Sequence, residues 1–180
     1  QLQLNFDADD FRTSESNYLP NHQKSVNIIF ENKDLVVIDK PAGMKMHPHS
    51  PTETDTLLNY LAGEFIQRKV SDQPYMVHRI DRATSGLVIV AKNPVVVPIL
   101  DRMLADKRIV RTYVTWASGV VQDNHGTIAK PIGIDARDDR KRAVDGKEAQ
   151  VAMTHWWRMH TVFCRSLLRV QLRTGRMHQR

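Results

Sequence analysis

The sequence is poor in the features that would crosslink a chain or place it in a membrane. It holds a single cysteine, Cys164, so no internal disulfide can form. That fits a reducing compartment, and a cytoplasmic protein is expected. Apolar runs are short, as in Leu87-Val88-Ile89-Val90-Ala91, against the ~20 residues that a spanning helix needs. Gln1-Leu2-Gln3-Leu4 has no basic region leading into an apolar run, so no signal-peptide pattern is visible. There is no internal repeat and no low-complexity segment. His47-Pro48-His49 lacks a third ligand at usable spacing, so no metal site is expected. Acidic residues are missing from residues 161–180, a stretch that holds five arginines: Arg165, Arg169, Arg173, Arg176 and Arg180.

What is present describes a globular, basic chain. Its 180 residues suit one domain, or one domain with a short extension, and can bury a core without staples. Apolar residues make up 41% and charged residues 26%, an ordinary globular composition. The net charge of +6 and a pI near 9.6 favour a polyanionic partner, of which nucleic acid is the usual one. The arginine-rich end can neutralise phosphates directly.

Residues 1–25 are polar and irregular, with Asp7, Asp9, Asp10 and Pro20, and read as a tail or linker. Residues 26–30 and 35–39 are apolar and β-branched around the polar turn Glu31-Asn32-Lys33-Asp34, which predicts a hairpin. Lys40-Pro41-Ala42-Gly43 stops the second strand. Leu57, Leu58, Leu61 and Phe65 recur at helical spacing, predicting a helix over about 54–67 with Asp55 as N-cap. Residues 76–92 read as strand, turn, strand. Asn93 is expected to cap a second helix, with Pro94 at its first position and Val97, Leu100, Met103 and Leu104 as its stripe. Further strands are predicted over 109–119, 149–159 and 165–173. In the last, Leu168, Val170 and Leu172 alternate with Arg169, Gln171 and Arg173. The charged stretch 135–148 reads as an exposed loop or hairpin. Strand runs outnumber helices without regular alternation, so the expected class is α+β with a mostly antiparallel sheet.

Asp81 stands in an unusual local setting. Arg79 and Arg82 flank it, and Thr84-Ser85-Gly86 follow before an apolar run begins. A carboxylate flanked by arginines stays ionised at neutral pH and is suited to act as nucleophile or base. In an isolated Arg-x-Asp-Arg string a loop salt bridge would be the better account.

The string has companions. Residues 35–48 (Leu-Val-Val-Ile-Asp-Lys-Pro-Ala-Gly-Met-Lys-Met-His-Pro) resemble the opening motif of RluA-type pseudouridine synthases. His78-Arg79-Ile80-Asp81-Arg82-Ala83-Thr84-Ser85-Gly86 resembles their catalytic motif. Arg111-Thr112-Tyr113 is similar to their basic-x-Tyr strand. Pro131-Ile132-Gly133 with residues 142–149 fits their central hairpin region. Ser166-Leu167-Leu168 and Thr174-Gly175-Arg176-Met177-His178-Gln179 fit the C-terminal motif. All lie in the family's order over about residues 26–179.

The resemblance implies a pseudouridine synthase fold, a mixed and mostly antiparallel central sheet flanked by helices and loops, with residues 26–180 as the catalytic domain. It implies that Asp81 is the catalytic aspartate, Tyr113 the tyrosine that packs against the target base, and Arg176 the arginine that pairs with the carboxylate. These three would line one cleft. Asp81 can attack the sugar, attack the base, or take a proton from the sugar. Arg79 is expected to help displace the target nucleotide, or else to serve as a second salt-bridge partner. Arg82, Arg169 and Arg173 are expected to contact RNA. His78 reads as structural, and Lys40 and Gly43 as the floor near Tyr113. The implied substrate is ribosomal or transfer RNA. The reaction needs no metal or redox carrier, so no cofactor is expected, and neither is an obligate protein partner; a monomer is expected.

Overall fold

The computed structural model describes residues 17–179. The expected tail over residues 1–16, and Arg180, lie outside the described residues. The chain divides into two compact units, with the boundary between Met103 and Leu104.

In the first unit β1 (Asn27–Glu31) and β2 (Leu35–Lys40) form the expected hairpin. Asn32 closes its turn, its side-chain oxygen accepting from the backbone N–H groups of Asp34 and Leu35. Helix α1 (Leu57–Gln67) follows. After it come β3 (Tyr75–Met76) and β4 (Gly86–Ala91), and the sheet order is β1-β2-β4-β3. Alternation along β2 buries Val36, Ile38 and Lys40 on one face. Val36 pairs with Val90 and Ile38 with Val88, and all four are fully buried. Each such side chain contributes about 1.5–3 kcal/mol.

Helix α1 buries eight of its 11 residues, more than an amphipathic stripe provides. Part of its cover comes from residues 19–24, the described end of the expected tail. The Asn21 N–H donates to the Asn59 carbonyl at 3.0 Å, and the Asn59 amide donates to the Leu19 carbonyl at 2.7 Å. The N-cap differs from the expected one. It is Thr56, while Asp55 accepts from the Tyr60 hydroxyl and pairs with Lys24. Both contacts hold the Asp55 carboxyl below the usual carboxylate range, the Tyr60 bond foremost. Helix α2 (Val97–Ala105) starts later than its sequence suggests. Asn93 caps the turn before it, accepting from the Val96 N–H at 3.2 Å, and of the expected stripe only Leu100 is buried.

The second unit contains β5 (Arg111–Ser118), β6 (His125–Ile128), β7 (Ile132–Ile134), β8 (Arg142–Val144), β9 (Lys147–Gln150), β10 (Thr154–Val162) and β11 (Arg165–Leu172). They form two sheets, β5-β11-β10-β6 and β8-β7-β9. The charged stretch 135–148 therefore carries β8 and the start of β9. Every named strand pair is antiparallel, and a parallel bridge joins Lys45 to Thr56. The α+β class holds, with the strands divided among three sheets rather than gathered in one. No helix among the described residues is long and apolar enough to cross a membrane.

Candidate active site

In the first unit the segment from His78 to Gly86 joins β3 to β4 and is pinned at several points. His78 Nε2 accepts from the Ile89 N–H of β4 at 3.1 Å, the structural role its sequence position suggested. Ile80 is 3% exposed and anchors the segment in the core. The Thr84 N–H donates to the Asp81 carbonyl at 3.0 Å, closing a turn. Beyond it, Arg82 and Gly43 exchange hydrogen bonds: Gly43 N–H to the Arg82 carbonyl at 2.7 Å, and Arg82 Nε to the Gly43 carbonyl at 2.9 Å. Gly43 has φ +87°, a conformation that side-chain-bearing residues rarely adopt.

Lys40 ties these pieces together. Strand alternation places it on the core face, where it is fully buried. Its ammonium has three donors, and they reach the carbonyls of Pro41 (2.9 Å), Met44 (2.8 Å) and Arg82 (3.3 Å). The Arg82 carbonyl thus accepts from both Lys40 and Gly43. Asp81 sits half-buried between this clamp and Ile80, with Arg79 and Arg82 exposed on either side. A carboxylate presented from so fixed a turn keeps its geometry without help from substrate. Sequence reasoning put Lys40 in the floor of the site. Its place as a clamp was signalled only by a lysine standing at a core-facing position of a strand.

In the second unit the register decides which residues share a face. Tyr113 pairs with Val170, and Val170 with Trp156. Cross-strand partners lie on one side of a sheet, so Tyr113 shares its face with both. Arg169 pairs with Val114 and Trp157 and points to the opposite side. There its guanidinium lies 4.5 Å from the Trp157 ring centre, a cation–π distance. Arg173 is exposed just past β11, its N–H donating to the Met153 carbonyl at 3.0 Å.

Arg176 is exposed in the turn 174–179, and its Nε donates to the Val151 carbonyl at 3.0 Å. Gln179 organises this turn, a role that sequence reasoning missed although the residue stands in the matched motif. Its side-chain oxygen accepts from Thr174 Oγ1 (2.8 Å) and the Arg176 N–H (2.9 Å). Its amide donates to the Met153 carbonyl and to Thr154 Oγ1, each at 3.0 Å. Gly175 permits close passage of Arg111, since a Cβ there would sit 2.7 Å from the guanidinium. Asp81 thus belongs to the first unit, and Tyr113 and Arg176 to the second.

Comparison with known proteins places this arrangement. The family model described as RNA pseudouridylate synthase matches residues 34–179. The chain belongs to that family, and the RluA-type resemblance read from its motifs agrees. It is 34% identical over 172 residues to the uncharacterized RNA pseudouridine synthase YhcT of Bacillus subtilis, covering 94% of this chain and 57% of that protein. It is also 34% identical over 170 residues to the ribosomal large subunit pseudouridine synthase D of Neisseria meningitidis serogroup B, covering 93% and 45%. The chain spans about half the length of the curated relatives it matches. Among solved structures, human RNA Pseudouridylate Synthase Domain Containing 1 superposes with a TM-score of 0.70 at 21% identity, covering 89% of this chain and 64% of that one. The human Domain Containing 4 protein gives 0.68 at 22%, covering 85% and 61%. Both show the fold.

Proposed function

We propose that this chain carries the catalytic domain, residues 26–180, of an RNA pseudouridine synthase that acts on ribosomal or transfer RNA in the cytoplasm, with Asp81 as its nucleophile. The reaction breaks the N1–C1′ bond, turns the uracil, and joins C5 to C1′. The proton on C5 leaves and N1 gains one, so the product is an isomer of the substrate. The observation that carries this reading is the Asp81 turn. Ile80 anchors it from below, and Lys40 and Gly43 hold the next carbonyl. Family membership supports the same chemistry.

Each of the other residues has work that fits its setting. Tyr113 offers an aromatic face that keeps the detached uracil from diffusing away. Arg176 supplies a cation for the catalytic carboxylate's charge. Arg79 is exposed beside Asp81. It offsets part of the few kcal/mol needed to unstack the target nucleotide. Arg82, Arg169 and Arg173 contact the RNA, and the protein works as a monomer. Ribosomal RNA is the first substrate to try, given the name of the Neisseria relative.

The test is Asp81→Asn, assayed by release of tritium from RNA labelled at uracil C5. Turnover is expected to vanish while RNA affinity stays within about tenfold. Substantial turnover by that variant would remove Asp81 from the mechanism.

A further inference from the structure

The sheet β5-β11-β10-β6 has a second face, turned away from Tyr113, that the proposed chemistry does not use. Register defines it. Val114 pairs with Arg169, Arg169 with Trp157, and Trp157 with His125, so all four share a side. Strand alternation adds Trp116 and His155 to the same side. Trp116 is 53% exposed and Val114 61%. Arg169 and His125 are also exposed, while Trp157 and His155 are half-buried.

The face is cationic. None of the four strands contains an aspartate or glutamate, so Arg169 meets no acid from its own sheet. A surface of this sign is complementary to a polyanion. The face is also rich in planar groups. The Arg169 guanidinium lies 4.5 Å from the Trp157 ring centre, and the His155 ring centre lies 6.3 Å from that of Trp157. A 2.7 Å hydrogen bond between Thr127 Oγ1 and His155 Nδ1 fixes the imidazole. Trp116 stands two strands away from Trp157, about 10 Å across the sheet, and offers a separate ring. Aromatic rings interleaved with arginine are what unpaired nucleic acid binds, since every base has a face to stack and every phosphate a charge to meet. An apolar protein surface docked here would instead strip water from Arg169 with no acid on the face to pair it.

We propose that this face is a stacking platform for an unpaired stretch of the RNA, with bases on Trp116 and Trp157 and phosphates at Arg169. The proposal rests on the pseudouridine synthase reading for its partner and gives the Arg169 contact a form. Tyr113 lies on the other side of the sheet, so the platform holds RNA outside the reacting uridine. Substrates with a single-stranded segment beside the modified loop gain affinity from it.

The experiment uses the whole chain and labelled oligocytidylate, which offers no uridine to Asp81, against an abasic strand of equal length and charge. Fluorescence anisotropy gives both affinities for wild type, Trp116→Phe, Trp116→Ala and Trp157→Ala. Wild type is expected to prefer the oligocytidylate by about tenfold, the scale of one stacked base. Each alanine variant should lower that preference by about threefold or more while abasic binding stays within about twofold, because the phosphate attraction survives. Trp116→Phe keeps a ring and should retain most of the preference. Unchanged melting temperatures show that the variants fold. A preference equal to that of wild type in both alanine variants would overturn the platform, and so would a wild type that binds both strands alike. Tritium release from labelled ribosomal RNA reads the enzyme separately: release by wild type without the preference would sink the platform alone. Absence of both would overturn the two readings together.

Discussion

Replacing Lys40 with Met tests whether the Asp81 turn is held by a buried charge. Methionine fills nearly the same volume and removes only the ammonium. In the native protein that ammonium donates to the carbonyls of Pro41, Met44 and Arg82. Hydrogen bonds involving a charged group contribute about 1.5–3 kcal/mol each, which bounds the loss at about 4.5–9 kcal/mol. Two effects reduce it. Methionine escapes the several kcal/mol spent in desolvating an ion. Pro41 is exposed and Met44 half-exposed, so water can serve those carbonyls, while the Arg82 carbonyl keeps its bond from Gly43. The expected net loss is about 2–4 kcal/mol. It should appear as a lower denaturation midpoint at an unchanged slope in urea. The loosened turn should also lower kcat more than it raises KM, because Asp81 is misplaced rather than RNA lost. A midpoint within about 0.5 kcal/mol of wild type would refute the clamp.

Other perturbations probe the remaining parts. Gln179→Ala removes four hydrogen bonds that organise the Arg176 turn, and should lower kcat/KM by about tenfold or more while Tyr113→Phe changes it little. Tyr113→Ala, which takes away the stacking face, should lose most turnover in the tritium-release assay. The Glu31 carboxyl is held below the usual carboxylate range, first by Arg68 and then by Lys92. A depressed carboxyl contributes stability that is complete above the ordinary glutamate value and is lost as pH falls through the folded value. Thermal melts of wild type below the ordinary glutamate value should therefore fall more steeply with acid than those of Glu31→Gln. RNA binding should weaken steeply with salt, and a flat response would argue against phosphate contacts.

The local part of this protein was legible in its residues. Alternation over residues 168–173 determined a strand and its faces, because a side-chain period of two needs no tertiary information, and the apolar runs 26–30 and 35–39 around a polar turn determined a hairpin. Five short motifs in order pointed to the family, since each constrains its own turn or strand. What the sequence could not determine is where long side chains end. Lys40 reads as a strand terminus, yet its ammonium reaches the Arg82 carbonyl 42 residues away. Gln179 looks like a motif residue of no assigned use, yet it reaches Met153, 26 positions away, while accepting from the Arg176 N–H. Asp55 has the right chemistry for an N-cap, but Tyr60 and Lys24 claim it and Thr56 takes the place. The same reason leaves His47 an ordinary loop histidine on paper. Only packing buries its Nδ1 without a hydrogen-bond partner among the described residues, because burial is a property of what the rest of the chain brings to a residue and not of the residue itself.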